Sequence, residues 1–214
     1  MRYKATIEYD GTDLHGWQIQ PGLRTAQSEL EAALQRLTGS HVRIAAAGRT
    51  DAGVHASGQV IAFALDKEWP PQTLQRALNA VAPEDIAVRS VECAGDQFDP
   101  RRHASSRAYV YRIWNARTRS PFWRRYAWQV YRRLDVAAMQ RAAAALCGTH
   151  DFTSFRAAGC DAEHAVRQII RSQVEQQDEL ITYEIVATAF LRHMVRNVVG
   201  TLVEVGWGTR PADS

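Results

Sequence analysis

The sequence predicts a fold of mixed α and β character, with two lobes packed on one continuous antiparallel sheet. Three observations carry this expectation. Short runs of alternating apolar residues, as in strands, recur with apolar runs at helical spacing between them. The second half of the chain uses the same vocabulary as the first. No low-complexity linker separates the halves. The 214 residues suffice for one large domain or two of about 100 residues each.

The elements follow in order. Tyr3 to Tyr9 alternates like a strand, with Tyr3, Ala5, Ile7 and Tyr9 on one face, and Asp10-Gly11-Thr12-Asp13 turns the chain. Thr25 to Leu37 has Ala26, Leu30, Ala33, Leu34 and Leu37 at helical spacing, with Gly39 as the stop. Val42 to Ala46 and Gly58 to Leu65 read as strands, Pro70-Pro71 opens a helix to Ala80, and Ile86 to Val91 is a further strand. In the second half, Ala108 to Trp114 and Tyr126 to Tyr131 read as strands. Asp135 caps a helix to Leu146 that Gly148 ends. Ala165 to Glu175 and Glu179 to Ala187 form a hairpin around Gln176-Gln177-Asp178, and a helix runs from Leu191 to Val205.

Composition narrows the function. Hydrophobic residues are 46% and charged residues 23%, as in soluble globular chains. The N-terminal stretch has no apolar signal core, and no uncharged apolar run approaches the roughly 18 residues of a membrane span, so the expected compartment is the cytoplasm. Cys93, Cys147 and Cys160 stand far apart with no CxxC pair, which suits neither a disulfide framework nor a zinc site. The seven histidines show no HxH, HExxH or i, i+4 pairing, so no bound metal is expected. The net charge of +3 hides an asymmetry: ten arginines and no Asp, Glu or Lys lie between Arg101 and Arg133. The same window holds Tyr109, Tyr111, Trp114, Phe122, Trp123, Tyr126, Trp128 and Tyr131. Guanidinium groups fit phosphates and aromatic rings stack on bases, so this segment is expected to touch nucleic acid. Its strand-like alternation is equally what a core face opposite a solvated face would give.

The stretch with the most chemistry is Gly48-Arg49-Thr50-Asp51-Ala52-Gly53-Val54-His55-Ala56. A carboxylate sits between an arginine and a histidine in a loop bracketed by glycines, which permit a tight turn and close substrate approach. Arg49 can favour the ionised form of Asp51 by charge pairing, and Thr50 can donate a hydrogen bond locally. By itself the pattern fits a solvated turn better than a catalytic loop, because Asp in a glycine-flanked turn is commonplace. The lysine and spacing of a phosphate-cradling GxxxxGK[ST] loop are absent.

The decapeptide Ala47 to Ala56, AGRTDAGVHA, resembles the A-type tRNA pseudouridine synthases, named for anticodon-arm positions 38–40. Further segments resemble that family in the same order: Tyr9-Asp10-Gly11 with Gly16-Trp17-Gln18, Gly58-Gln59-Val60, Asp85 to Arg89, Arg107 to Tyr111, Gly148 to Phe155, and Phe190 to Asn197. The likeness extends from about residue 3 to about residue 206. It implies an α+β pseudouridine synthase fold of two pseudo-repeated α/β lobes, residues 1–103 with the aspartate loop and 104–214 with the tyrosine strand and arginine helix. It implies that Asp51 is the catalytic carboxylate, that Arg196 pairs with it, and that Tyr109 stacks on the target base. Arg49 is implied to handle the extruded nucleotide, and His55 and Arg192 to support substrate binding. The implied reaction converts uridine to pseudouridine with nothing oxidised and nothing lost, so the resemblance implies no cofactor and no metal. It also implies a tRNA anticodon arm as substrate and a homodimer sharing the tRNA.

Read from the residues alone, Arg196 is also compatible with a structural helix arginine, and Tyr109 with a buried strand tyrosine. Arg192 and Arg196, four apart, are expected on one helix face, with Val195, Val198, Val199 and Leu202 on another. Members of the family usually continue beyond this helix to a closing strand, whereas this sequence ends at Ser214, and one sheet edge or groove is expected to be uncovered. Two rival readings are a tRNA-binding module without catalysis and a carboxylate-dependent hydrolase. The hydrolase would need a second carboxylate, and none stands out beside Asp51.

Overall fold

Alternation at the N-terminus becomes β1 (Arg2–Tyr9), whose Tyr3, Ala5, Ile7 and Tyr9 are all buried. The structure is a computed structural model that describes residues 1–159 and 162–213. The chain divides into two units, Met1–Ala104 and Ser105–Ser214. Strand pairing among the described residues closes within each unit, so two sheets form in place of the single continuous sheet expected from sequence. Alternation identifies a strand's faces but carries no information about its partner.

In the first unit, β1 is central and pairs antiparallel with β3 (Ala56–Ala64) and β4 (Ile86–Ala94), with β2 (Ala45–Ala46) on the outer side of β3. The inward face of β1 shares one apolar core with Leu30, Ala33 and Leu34 of α1 (Ala26–Thr38) and Leu74 and Leu78 of α2 (Pro71–Val81). α1 starts on a reciprocal cap, in which Thr25 Oγ1 accepts from Ser28 N and Ser28 Oγ accepts from Thr25 N. It stops at Gly39, whose φ of 75° is the left-handed cap expected there. The β1–β3 ladder keeps one register from Arg2–Ala64 to Ile7–Gln59, then shifts so that Tyr9 faces Ala56. That irregularity lies where both strands enter the Asp51 loop region, a usual place for a bulge beside a site.

The second unit contains β5 (Arg107–Trp114), β6 (Trp128–Gln129), α3 (Val136–Ala145), β7 (Gly148–Asp151), β8 (Val166–Gln177), β9 (Leu180–Ala187) and α4 (Met194–Gly206). Its sheet runs β6-β5-β9-β8-β7, antiparallel except for the parallel β5–β6 pair. Ile113, Tyr183 and Ile185 of the sheet bury against Met139 of α3 and Val198, Val199 and Leu202 of α4. The β8–β9 hairpin turns at Asp178, at φ 53°, as the turn sequence predicts. No described helix is long and apolar enough to cross a membrane. Cys93 and Cys147 are free and exposed, and Cys160 lies outside the described residues.

Four elements depart from the sequence expectation, each for a local reason. Only Ala45–Ala46 of the expected strand Val42 to Ala46 pairs, because the Ile44 N–H is taken by the buried Glu31 carboxylate at 3.0 Å. The expected strand Tyr126 to Tyr131 shrinks to Trp128–Gln129, because Tyr126 N and Ala127 N both donate to Trp123 O in a turn. Gly148 does not cap α3, which ends at Ala145; with φ 108° it opens β7. Helix α4 starts at Met194, after His193 in the left-handed region at φ 59°, so Arg192 lies outside the helix and shares no helical face with Arg196.

One ion pair ties the first unit's turns together. Arg24 grips Asp85 with two parallel hydrogen bonds of 2.7 and 2.8 Å and also donates to Glu29 at 3.0 Å. The side-chain hydrogen bonds from Arg24 hold the Asp85 carboxyl below the usual carboxylate range. Because the folded value is depressed, the stabilisation is complete above the unfolded carboxylate pKa of about 4 and is lost as pH falls through the folded value. Both groups are partly exposed, so screening limits the pair to about 1 kcal/mol. Asp85→Asn is therefore expected to lower the melting temperature at pH 7 by roughly 2–4 °C. The gap should close in melts taken at strongly acid pH; a pH-independent gap would contradict the assignment.

Candidate active site

Asp51 sits exposed in a loop that joins β2 to β3, and the loop is fastened on both sides of it. On the N-terminal side, Ala47 N donates to Val60 O (2.9 Å), and Gln59 Nε2 donates to Gly48 O (2.6 Å). Thr50 is held twice: its carbonyl accepts from Trp17 N at 3.0 Å, and its hydroxyl shares a 2.7 Å hydrogen bond with the Tyr9 hydroxyl. Past Asp51, Val54 N closes a turn onto Asp51 O (3.1 Å), and Gly53, at φ 77°, donates to Leu14 O (3.1 Å). A side chain projecting from such a turn has its backbone fixed before any substrate arrives.

The partner of this loop is the segment from Asp10 to Trp17, and the two pack backbone to backbone. A Cβ on Gly11 would lie 2.1 Å from Val54 O, and one on Gly16 2.6 Å from Thr50 O and 3.1 Å from the Asp51 carbonyl carbon. Glycine is required at both positions because no side-chain carbon fits there. Gly48 is different: it lacks a positive φ, and a methyl group there would meet nothing within 4 Å. The conformational freedom expected of Gly48 is thus unused, while that of Gly53 is used.

His55 closes the arrangement. Its Nδ1 lies 3.1 Å from Gly11 N and 3.0 Å from Asp10 Oδ1. A bare Nδ1 accepts from Gly11 and a protonated Nδ1 donates to Asp10; one nitrogen cannot do both at once. Asp10 Oδ1 also accepts from Thr12 N (2.9 Å) and Thr12 Oγ1 (2.6 Å), and Asp10 N donates to Asp85 O (2.9 Å). His55 is therefore a fastener between the aspartate loop and the turn after β1. Tyr9, Gly11, Gly16 and Trp17 belong to this site as well. The sequence put Tyr9 on a strand and Gly11 in a turn, and all four in segments that resemble the family, but nothing in their spacing showed that they pack beneath Asp51. Arg49 is exposed on the same loop.

In the second unit, Tyr109 projects from the inward face of β5 and meets Phe190 edge-on, with ring centroids 4.9 Å apart at 87°. Tyr111, expected only as one of the aromatics of the arginine-rich window, lies on the same face. Burial raises its hydroxyl above the ordinary tyrosine range, and the positive charge of Arg196 works against that rise. Arg196 thus lies near the β5 tyrosine face, on the exposed side of α4. Arg192 is exposed and reaches Gly159 O at 3.4 Å, and its own carbonyl accepts from Ala157 N at 3.2 Å. With Asn197 Nδ2 donating to Phe155 O at 3.0 Å, these bonds tie the start of α4 to the loop after β7. That loop holds its own shape, since Asp151 Oδ1 accepts from Thr153 N and Oγ1 and Phe152 is buried.

The arginine-rich segment separates into two kinds of residue. Arg107 donates to Thr188 O (2.8 Å), and Arg132 donates to Trp207 O (2.8 Å) while lying over the Trp207 ring at 5.9 Å. Those two are structural. Arg117, Arg119, Arg124 and Arg125 are exposed. Of the aromatics, Trp114 and Trp123 stack on each other at 6.4 Å, whereas Phe122, Tyr126, Trp128 and Tyr131 are exposed. Among the described residues no three His, Cys, Asp or Glu side chains cluster so as to hold a metal ion.

Comparison with known proteins gives this geometry a family. The sequence matches the family model described as tRNA pseudouridine synthase over residues 5–101 and 142–214. It is 50% identical over 212 residues to tRNA pseudouridine synthase A of Myxococcus xanthus, covering 99% of this chain and 80% of that protein. The proteins of the same name from Moorella thermoacetica and Geobacter sulfurreducens are 49% and 46% identical, covering 95% and 96% of this chain and 83% and 84% of theirs. Matches of this extent, which include the whole Asp51 loop and the segment clamped beneath it, place the chain in the tRNA pseudouridine synthase family, whose members are isomerases.

Proposed function

We propose that this protein isomerises uridines at positions 38–40 of the tRNA anticodon stem-loop to pseudouridine, with Asp51 as the catalytic carboxylate. The observation that carries the reading is the exposed carboxylate in a loop immobilised on both sides, within the family's AGRTDAGVHA stretch. The reaction breaks the C1′–N1 bond, turns the uracil and forms a C1′–C5 bond. The C5 proton is lost to solvent and N1 gains one, so the product is an isomer. One ionised carboxylate serves, as nucleophile or as base. The target must first leave its stack, at a cost of a few kcal/mol. Tyr109 is assigned the face of the target base, Arg196 the charge of the carboxylate, and Arg49 and Arg192 the extruded nucleotide. His55 acts through the loop, holding Asp51 in position. The family's two pseudo-repeated lobes and a homodimer sharing one tRNA belong to the same proposal.

The test is to incubate unmodified tRNA transcripts with the protein and map mass-tagged pseudouridine by position. Product confined to 38–40 supports the proposal, and product elsewhere or none would refute it. For the RNA surface, the exposed Arg124 and Arg125 are expected to contact phosphates. Reversing both charges to glutamate should weaken tRNA binding about tenfold or more and reduce the slope of log affinity against log salt by about one for each phosphate no longer neutralised. Unchanged affinity and slope in filter-binding titrations would remove these residues from the interface.

A further inference from the structure

We infer that Phe122 is a preorganised stacking platform for an unpaired base of the RNA. This deepens the reading above and rests on it. Phe122 is 85% exposed, more than any other large hydrophobic side chain among the described residues. A single exposed apolar ring is common on protein surfaces; what sets Phe122 apart is the anchored turn that carries it and the arginines around it.

The turn that carries it is not loose. Trp123, its neighbour, faces inward and stacks on Trp114 of β5 with an interplanar angle of 22°. The Trp114 indole N–H donates to Thr118 O at 3.0 Å, and Trp123 N donates to Ser120 Oγ at 3.3 Å. Trp123 O accepts from both Tyr126 N and Ala127 N at 2.9 Å. The chain from 118 to 127 is thereby pinned to β5 through one tryptophan while the adjacent ring points out. Holding the ring this way removes the entropy that a flexible loop would lose on binding.

The surrounding charge selects the occupant. Arg117, Arg119, Arg124 and Arg125 flank the ring in sequence and are exposed, and no acidic residue occurs from Arg101 to Arg133. A second copy docking here about a two-fold axis would set this patch against itself and bring like charges together. A polyanion neutralises them, and an aromatic ring among cations is the arrangement that binds unpaired bases. Every base offers a π-face, so the interaction asks only that the base be unstacked.

The experiment compares wild type with Phe122→Ala, Phe122→Leu and Phe122→Trp. The probes are an unmodified anticodon stem-loop RNA and a fully paired RNA duplex of equal length. The expected result is a roughly five- to hundredfold loss of stem-loop affinity in the Ala and Leu variants, with duplex affinity unchanged and the Trp variant restored. The salt slope should stay at the wild-type value, because the phosphate-binding arginines are untouched, and kcat at saturating RNA should be unchanged while KM rises. Equal losses on both RNAs, full affinity in Phe122→Leu, or no loss in Phe122→Ala would overturn the inference. So would a change in sedimentation of the RNA-free protein on Phe122→Ala, which would assign the ring to self-association. If wild type makes pseudouridine and binds the stem-loop while Phe122→Ala matches it, only this inference fails. If wild type neither binds nor converts the RNA, the functional reading fails with it.

Discussion

Asp51→Asn is expected to reduce pseudouridine formation by roughly four orders of magnitude or more, the scale seen when an essential nucleophile or base is removed. The substitution keeps the shape of the side chain and removes its charge and basicity. Asp51 is exposed and the turn is closed by its backbone oxygen to Val54, which asparagine supplies equally well. Folding should therefore be nearly unaffected, and the melting temperature should shift by no more than the small amount typical of surface changes. Affinity for tRNA should also persist, since phosphate contacts supply most of it. Quantifying mass-tagged pseudouridine alongside a binding titration separates these effects. Turnover near the wild-type level in a folded, tRNA-binding variant would remove Asp51 from the catalytic role.

The second large effect is expected at a residue with no side chain, packed against the backbone of the Asp51 loop. In Gly16→Ala the new methyl would stand 2.6 Å from Thr50 O at a backbone φ of 84°, so either the Asp51 loop or the segment beneath it must move. A displacement of the order of 1 Å at a catalytic group costs about a hundredfold in rate, and kcat should fall by that factor with KM for tRNA little changed. Gly11→Ala should behave alike, its methyl meeting Val54 O. Gly48→Ala is the control from the same loop, where open space and an ordinary φ predict activity within a few fold of wild type. Steady-state kinetics on the three variants distinguishes the ideas. If Gly48→Ala is as damaging as Gly16→Ala, the glycines serve substrate approach and not loop packing.

The contrast between these glycines shows what the sequence could and could not say. Elements whose signals are local were legible: the alternation of β1, the start of α1 near Thr25 and its stop at Gly39, and the turn at Asp178. Where a distant group captured a backbone donor, the local signal misled, as when Glu31 took the Ile44 amide and shortened β2. His193 shows the same limit, because apolar periodicity ran through it while its left-handed backbone delayed α4 and removed Arg192 from the helix. For the site, the Asp51 stretch was visible as a motif, but from the residues alone a solvated turn was the favoured reading. What makes it a site is the Tyr9–Thr50 bond, the Trp17–Thr50 bond and the missing Cβ atoms at 11 and 16, all between segments more than thirty residues apart. In the arginine-rich window, composition could not separate Arg107 and Arg132, which bond to backbone carbonyls, from Arg124, which is exposed.

The central claim, that the clamped carboxylate performs the isomerisation, is tested most directly by tritium release from tRNA labelled at uracil C5. Forming the C1′–C5 bond must expel that atom, whichever way Asp51 acts. Wild-type protein should release tritium with turnover and Asp51→Asn should release none above background. Release at comparable rates from both proteins would contradict the account.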